Sequence, residues 1–242
     1  MNYCYSQQLG RNLLASRSLN PLSLSPALWL DASDSSTLFN ATTGGSLPAD
    51  GQAVARWEDK SGNSRHVIQG TGVSQPLRKT SIQNSKDAIR FDGANDELVV
   101  ATTIQPRTVI TVQKTSNTAK VQQTIFRATA LTCLARYETT NILVFYDSLY
   151  IISAAVSNST TLITSCVFGN SSANAYSNGS LIGTDASGSW TNLGAGNFYV
   201  GGFSGSEGFE GDFFEILVFP TVLSNTDRQA VEAYLNAKWA VY

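Results

Sequence analysis

The sequence is poor in charged side chains. Only 14% of its 242 residues are Asp, Glu, Lys or Arg, against about 25% in an ordinary globular domain. The formal net charge is −2 and no basic run occurs, which argues against nucleic-acid binding because such binding depends on clustered Lys and Arg. No segment approaches the roughly 18 consecutive apolar residues of a transmembrane helix, so we expect no membrane insertion.

Cysteine and histidine are also scarce. Cys4, Cys133 and Cys166 are odd in number and lack the spacing of metal ligands, which argues against a zinc site and against a disulfide scaffold. Cys133 and Cys166 lie in apolar runs, so we expect buried thiols there. His66 is the single histidine and no G-x-S-x-G motif occurs, which argues against a Ser-His-Asp triad. Residues 1–26 lack the basic and apolar regions of a signal peptide, so we expect maturation in a reducing cytoplasm.

What the sequence does contain is a long series of short β-type segments. They are rich in Val, Ile, Thr, Phe and Tyr, and turn residues such as Gly, Asn, Asp and Ser separate them. Residues 108–114 alternate like a half-buried antiparallel strand, and Asn178-Gly179 is a strong hairpin signal. Since no amphipathic helices intervene, the pattern predicts an antiparallel sandwich or barrel. The clearest segments are 27–31, 88–91, 98–101, 108–114, 124–128, 142–146, 160–168, 197–202 and 213–219.

One helix is predicted near the C-terminus. Ser224 and Asp227 form a capping-box pattern, and an apolar stripe at helical spacing follows them. We expect this stripe to pack on the sandwich. It consists of Ala230, Val231, Tyr234, Leu235 and Trp239.

Residues 1–25 lie outside the strand pattern, and a weaker helical pattern spans residues 9–19. A terminal segment of this kind frays unless something holds it. We therefore interpret residues 1–25 as an extended N-terminal arm that binds a neighbouring subunit, and residues 26–242 as one domain. The arm side chains expected to contact the partner are Tyr3, Tyr5, Leu9, Leu13, Leu14 and Leu19.

Five motifs together resemble a known family of domains. They are LWLDASDSSTL (28–38), W-x-DKSGN-x-x-H (57–66), IRFDGANDEL (89–98), AYSNGSLIG (175–183) and FEGDFFEILVFPTVLS (209–224). In this order they are similar to the concanavalin A-like, laminin G-like jelly-roll domains of bacteriophage and bacterial surface proteins. The resemblance implies an all-β antiparallel jelly-roll sandwich over residues 26–242. It implies less about function, since this fold carries lectins, adhesins, glycosidases and structural modules.

The acidic turn residues allow two interpretations. The resemblance implies that Ca²⁺ could be bound, because laminin G-like domains often carry this ion. Asp59, Asp92 and Asp96 are the main candidate ligands, and Asp31 and Asn95 offer further oxygen atoms. The same side chains suit Asx turns, in which they accept hydrogen bonds from nearby backbone N–H groups, and this is the preferred interpretation. No EF-hand-like run fixes a ligand set, so we assign no cofactor.

Glu210, Asp212 and Glu215 form an E-x-D-x-x-E pattern that resembles the catalytic strand of jelly-roll glucanases. A retaining glycosidase needs two carboxyl groups about 5–5.5 Å apart. A regular strand would place Glu210 and Asp212 on one face and Glu215 on the other, so catalysis requires a β-bulge. The same residues also match the laminin G-like pattern F-x-G-x-x-x-E, whose Glu is not catalytic. We therefore predict no enzymatic activity and no catalytic residue.

Exposed aromatic side chains would suit a sugar-stacking surface. The candidates for such a surface are Trp190, Tyr137 and Tyr146. Trp and Tyr more often pack in the core or at the edge of a sandwich, and the sequence leaves both alternatives open.

These observations support three functional hypotheses. The preferred one is a phage virion surface protein, either a capsid decoration protein or a fibre or tail adhesin, assembled in the host cytoplasm. Its jelly roll would face outward while the arm binds other virion proteins, in a homo-oligomer or lattice. The alternative is a lectin-like module that binds cell-surface glycans. A glycosidase that uses Glu210 and Glu215 ranks third.

Overall fold

The structure is a computed structural model that describes residues 19–117, 119–128, 133–138, 141–146, 149–155, 159–186, 196–205 and 207–242. For residues 133, 134, 136, 138, 141–146 and 149–154 it describes the backbone alone. Within these ranges the chain forms seventeen strands, one α-helix and three short 3₁₀ turns. The 3₁₀ turns are Pro21–Leu24, Ser35–Thr37 and Gly72–Ser74.

The strands form two antiparallel sheets, which we call sheet A and sheet B. Sheet A contains β1 (Leu28–Asp31), β5 (Leu77–Gln83), β6 (Lys86–Asp92), β8 (Thr108–Thr115), β13 (Thr161–Phe168), β14 (Ala173–Ser177), β15 (Ser180–Asp185) and β17 (Glu210–Phe219). Sheet B contains β2 (Leu38–Phe39), β3 (Arg56–Trp57), β4 (Val67–Ile68), β7 (Leu98–Ile104), β9 (Gln123–Ala128), β10 (Cys133–Glu138), β11 (Asn141–Tyr146), β12 (Leu149–Ala155) and β16 (Gly196–Val200).

The order of strands mixes near and distant parts of the chain. Sheet A runs β15-β14-β13-β8-β17-β6-β5, and β1 pairs with the second half of β17. Sheet B runs β12-β11-β10-β9-β16-β7-β4-β3-β2. The predicted all-β antiparallel sandwich is therefore confirmed.

Two apolar clusters hold this architecture together, and β17 contributes to both. The inner cluster lies between the sheets, and the outer cluster lies on the far side of sheet A. Alternation along a strand sends Ile216 and Val218 inward and Leu217 and Phe219 outward. Cys166 is a buried free thiol of the inner cluster, as expected, while the side chain of Cys133 lies outside the described residues.

Helix α1 (Asn225–Trp239) covers the outer cluster. Its N-cap is Ser224, whose hydroxyl accepts a hydrogen bond of 3.1 Å from the backbone N–H of Asp227, so the predicted capping pattern is confirmed. Val231, Leu235 and Trp239 are fully buried against sheet A. Among the described residues, no helix has both the length and the apolar character needed to cross a bilayer.

The last part of the predicted arm lies on the sandwich. Leu19 and Leu24 pack against the outer cluster, beside helix α1. The other arm side chains expected to bind a partner, Tyr3, Tyr5, Leu9, Leu13 and Leu14, lie outside the described residues. The boundary at residue 25 and the partner of the arm stay predictions.

Candidate functional site

Glu215, the carboxylate that the third-ranked glycosidase hypothesis would use together with Glu210, lies beneath helix α1, and its side chain is 0% exposed. The required β-bulge is present, because the register of β17 shifts between Phe213 and Glu215. Its effect is to turn Glu215 towards the helix. There the carboxylate accepts hydrogen bonds from Trp29 Nε1 at 2.8 Å, Trp239 Nε1 at 2.6 Å and Lys238 Nζ at 2.7 Å. Burial raises the pKa of Glu215, and the charge of Asp31 acts in the same direction, although Lys238 opposes both.

The other two carboxylates of the E-x-D-x-x-E pattern also have structural partners. Asp212 forms a bidentate pair with Arg90, with N–O distances of 2.7 and 2.9 Å. Glu210 accepts a hydrogen bond of 3.1 Å from Asn117 Nδ2. Because Glu215 is enclosed, the pattern does not present two carboxylates to a substrate on one surface.

Asp59 organises the turn that contains DKSGN. One of its oxygens accepts hydrogen bonds from the backbone N–H groups of Trp29 and Ser61, at 2.9 and 2.8 Å. The other accepts from the Ser61 hydroxyl at 2.7 Å and from the backbone of Arg65 at 3.0 Å. These are the contacts of an Asx turn, in which the side chain accepts hydrogen bonds from nearby backbone N–H groups.

Asp92 and Asp96 hold the loop between β6 and β7 in a similar way. Asp96 accepts a hydrogen bond of 2.9 Å from the backbone N–H of Asp92, and Asp92 accepts one of 2.7 Å from Ala94. Asp96 is only 4% exposed. Its burial, together with the charge of Asp92, raises its pKa to about 6. Over the described ranges, no group of three or more His, Cys, Asp or Glu side chains is placed to hold a metal ion.

The aromatic residues predicted to stack on sugars are not all exposed. Tyr137 is fully buried in the inner cluster, with its ring centroid 6.1 Å from that of Phe209, so the expectation of an exposed ring was wrong for this residue. Side chains alternate between the two faces of a strand, and Ala135 and Tyr137, two positions apart on β10, both point into the inner cluster. The side chain of Tyr146 and the whole of Trp190 lie outside the described residues.

A different set of side chains lines the outer face of sheet B. Cross-strand partners form a single row over six neighbouring strands. Adjacent strands lie about 4.8 Å apart, so this row spans roughly 24 Å. Its members, from one end to the other, are Phe39, Arg56, Ile68, Val99, Tyr199 and Arg127.

Four residues near one end of the described row form what we call the aromatic–arginine cluster: Arg127, Tyr199, Phe203 and Glu207. The rings of Tyr199 and Phe203 meet edge to face, with centroids 5.0 Å apart and an interplanar angle of 71°. The guanidinium carbon of Arg127 lies 3.4 Å from the centroid of Phe203. One oxygen of Glu207 lies 3.4 Å from Arg127 Nη1. Both rings are half-buried and therefore partly accessible.

The loop between β16 and β17 brings Phe203 and Glu207 onto the sheet. It contains several left-handed residues, among them Gly201 with φ 77°, Ser204 with φ 52° and Glu207 with φ 53°. A Cβ atom at Gly201 would lie 2.2 Å from the ring of Phe91, so only glycine fits there. The Thr124 hydroxyl donates to Glu207 at 2.9 Å, which fixes the carboxylate.

Arg56 and Phe39 lie side by side at the opposite end of the row. Its guanidinium carbon lies 4.1 Å from the centroid of the Phe39 ring. Its nitrogens donate to Glu58 at 3.0 Å and to the carbonyl oxygens of Ala41 and Gly44 at 3.1 and 2.9 Å. Arg56 is 7% exposed and therefore braces the loop after β2.

The row and the cluster together combine apolar rings with polar groups. Tyr199 and Phe203 offer aromatic surface, while Glu207 and Thr124 carry hydrogen-bonding oxygens beside them. None of the four members of the cluster was predicted from the sequence. The available signal was the segment GGFSGSEGF, residues 201–209, in which glycines surround an aromatic and an acidic residue.

A polar cleft of about 540 Å³ lies elsewhere, between the first residues of the sandwich and the DKSGN turn. Arg65 and Asn63 line it, but both donate to the backbone of the residues that precede β1: Arg65 Nη1 to Ala27 at 3.0 Å and Asn63 Nδ2 to Pro26 at 3.0 Å. These side chains hold the start of β1 in place, so we assign the cleft no ligand.

Comparison with known proteins supports the fold. No protein-family model matches the sequence, and no curated protein is similar to it at the sequence level. The chain is similar in structure to the Trypanosoma rangeli sialidase, with a TM-score of 0.60 and 12% identity over 88% of this chain and 33% of the sialidase. It is similar to the binding domain of botulinum neurotoxin serotype D, with a TM-score of 0.58 and 13% identity over 88% of this chain and 53% of that one. It is also similar to a structure of botulinum neurotoxin type C, with a TM-score of 0.57 and 11% identity over 87% of this chain and 51% of that one. The match thus covers between a third and about half of these proteins, and identities this low show a shared fold alone.

Proposed function

We propose that this chain is a carbohydrate-binding, lectin-like module, and that the aromatic–arginine cluster is its contact surface. The observation that carries the proposal is the half-buried pair Tyr199 and Phe203 on the outer face of sheet B, away from helix α1. Aromatic rings of this kind present apolar surface to the C–H groups of a sugar ring, and polar neighbours can bond its hydroxyls.

Two proteins of the same fold support the proposal by analogy. The T. rangeli sialidase has been solved in complex with sialic acid. For botulinum neurotoxin type C, interaction with two ganglioside molecules has been described. A shared fold does not transfer a function, so the proposal depends on the cluster itself.

The test is glycan binding by the full chain and by single variants. We expect Tyr199→Ala and Phe203→Ala each to weaken binding at least tenfold on a glycan array and in titrations with the glycans that bind. Tyr242→Ala is the matched control, because Tyr242 is 58% exposed at the C-terminus, beyond helix α1, and its loss should leave binding unchanged. Absence of binding to every glycan, or equal loss in all three variants, contradicts the proposal.

The virion role is a separate prediction. It depends on the predicted arm, residues 1–25, of which residues 1–18 lie outside the described residues. Removing residues 1–18 and testing whether the chain still joins a particle would check it, and a chain that still joins without them would contradict it.

A further inference from the structure

A lysine amine lies between two buried carboxylates beneath the last turn of helix α1. Lys238 Nζ is 2.6 Å from Oδ1 of Asp31 and 2.7 Å from Oε2 of Glu215. The side chains of Lys238, Asp31 and Glu215 are 14%, 4% and 0% exposed. Asp31 and Glu215 are also direct cross-strand partners in the pairing of β1 with β17. An amine and a carboxyl group that are held together out of water can condense to an amide.

The contacts of Asp31 make it the carboxyl group that an amine would attack. Lys238 contacts its Oδ1, and Lys60 Nζ contacts its Oδ2 at 2.8 Å. An amine at this distance from a carboxylate oxygen has its nitrogen roughly 3–3.5 Å from the carboxyl carbon, which is the separation of a near-attack geometry. Lys60 lies where negative charge would develop on Oδ2 during the attack, and a fixed cation at that place stabilises such charge.

Glu215 has the contacts of a proton relay. Trp29 Nε1 and Trp239 Nε1 donate to its two oxygens at 2.8 and 2.6 Å, which fixes the carboxylate beside Lys238. Burial raises the pKa of Glu215, so it accepts a proton more readily than an exposed glutamate does. Burial also disfavours the ionised form of Asp31, but the two lysines overcome this and lower its pKa, so Asp31 is the weaker base of the two carboxylates.

We propose that Lys238 and Asp31 condense to an intramolecular amide bond, with Glu215 as the proton relay. The bond joins the end of β1 to the last turn of helix α1, and the enclosed site protects it from hydrolysis. It is a modification of the folded chain, and it does not depend on the proposed glycan binding, which concerns the other outer face of the sandwich.

In the reaction, the Glu215 carboxylate takes one proton from the ammonium group of Lys238, and the freed amine attacks Cγ of Asp31. Negative charge passes to Oδ2, where Lys60 stabilises it. The bond from Cγ to Oδ1 then breaks, and Oδ1 leaves as water. The two protons of this water come from the Lys238 nitrogen, one of them through Glu215, and the third proton stays on the amide nitrogen. Atoms and charges therefore balance without a cofactor or an oxidant.

Lys60 provides a comparison within the same chain. It also lies between two carboxylates, Asp31 and Asp34, each 2.8 Å away. The side chain of Lys60 is 24% exposed and that of Asp34 is 33% exposed, so water reaches this pair. Hydrogen bonds from Lys60 and Ser36 lower the pKa of Asp34, which makes it a poor proton acceptor. We therefore expect Lys60 to remain a free amine.

Intact mass spectrometry of the full chain under denaturing conditions detects the bond directly. We expect a mass lower than that of the sequence by one molecule of water, and after protease digestion a branched peptide that joins the segments of Asp31 and Lys238. Lys238→Arg keeps the positive charge but removes the nucleophilic amine, so this variant should have the full mass of its own sequence. Asp34→Asn is the matched control, because it changes a neighbouring carboxylate at Lys60 and should retain the loss of water.

Two further variants separate a reaction from a purely structural role of these residues. Asp31→Asn carries an amide whose leaving group is ammonia, so the same bond should form with the loss of one molecule of ammonia instead of water. Glu215→Gln removes the proton relay and should keep the full mass of its sequence. Circular dichroism of each variant establishes that it is folded, because an unfolded chain would also fail to form the bond.

Each other outcome contradicts a stated part of the proposal. A parent chain that keeps the full mass of its sequence overturns the bond. A loss of water that persists in Lys238→Arg arises elsewhere, for example by cyclisation at Asp92-Gly93, and also overturns it. A branched peptide that joins Lys238 to Glu215, or Lys60 to Asp31, overturns the assigned roles. A loss of water in folded Glu215→Gln overturns the relay.

Discussion

On the outer face of sheet A, helix α1 covers an apolar cluster, whereas on the outer face of sheet B the described residues include no covering helix. Both faces carry aromatic rings and ion pairs. On the sheet A side these groups lie under the helix, with Glu215 fully enclosed between two tryptophans and Lys238. On the sheet B side the rings of Tyr199 and Phe203 stay partly accessible.

The ion pairs of the two faces also differ in how far they are exposed. The side chains of Lys238 and Glu215 are 14% and 0% exposed and 2.7 Å apart. Those of Arg127 and Glu207 are 9% and 20% exposed and 3.4 Å apart. A buried charge that loses its partner is costly, while a partly exposed pair contributes little to stability. Similar residue types are therefore enclosed on the outer face of sheet A and partly accessible on that of sheet B.

The largest loss of stability is expected when the enclosed carboxylate of Glu215 is removed. Glu215→Ala leaves the buried indole N–H groups of Trp29 and Trp239 without their acceptor beneath helix α1, and it leaves Lys238 with Asp31, 2.6 Å away, as its carboxylate partner. We expect the free energy of unfolding, measured by urea unfolding, to fall by about 2–6 kcal/mol, because each buried donor that loses its acceptor costs about 1–3 kcal/mol. Glu215→Gln, which retains an acceptor but loses the charge, should show a smaller loss. A loss below about 1 kcal/mol for Glu215→Ala would mean that the hydrogen bonds to Glu215 contribute little to holding helix α1 on sheet A.

Two buried aspartates extend the comparison to pH. Burial disfavours the ionised form of Asp31, but Lys238 and Lys60, at 2.6 and 2.8 Å, overcome this and lower its pKa. Among the described residues no cation pairs with Asp96 in this way, and its pKa is raised to about 6. A raised pKa means that protonated Asp96 stabilises the folded state fully below its unfolded pKa, near 3.8, and that this stability is lost as the pH rises through 6.

The raised pKa of Asp96 predicts that a neutral side chain at this position stabilises the fold at neutral pH. Asp96→Asn removes the cost of ionising a buried carboxyl, so at pH 7.5 the variant should be about 1–3 kcal/mol more stable than the parent chain. The difference should shrink as the pH is lowered to 4.5. Urea unfolding at several pH values measures it. Parallel stability curves for the two proteins would show that Asp96 does not titrate differently in the folded state.

Much of the fold could be predicted from local pattern. The strand runs, the Asn178-Gly179 hairpin and the capped helix all rest on short-range signals, and the structure contains each of them. The two-residue strands β2, β3 and β4 were not predicted, because so short a segment carries no periodicity. They are strands only because neighbours far away in sequence pair with them.

The candidate site was harder to predict for the same reason. Arg127, Tyr199 and Phe203 meet through the pairing of β9 with β16 and through a loop with left-handed residues, and neither is readable from composition. Tyr137 was a candidate for an exposed ring and is buried. Its residue type does not show which face of the strand it occupies, because tyrosine is found on both faces. The acidic turn residues were easier, because Asp59 and Asp92 accept hydrogen bonds from residues close by in sequence.

The smallest expected effect on stability is at the aromatic–arginine cluster, and it is the most informative for the comparison. Glu207→Gln retains a side-chain oxygen that can accept the Thr124 hydroxyl, and it removes one partner of a partly exposed ion pair. Such pairs contribute about 0.2–1 kcal/mol, so the free energy of unfolding should change by less than about 1 kcal/mol. Urea unfolding of Glu207→Gln beside Glu215→Gln provides a matched pair, since the same chemical change is made on each outer face. If Glu207→Gln costs as much stability as Glu215→Gln, the outer face of sheet B is a structural surface like that of sheet A. If its cost is small while its glycan binding changes, the charges on this face act on a ligand, because charges that only hold the fold would have lowered its stability.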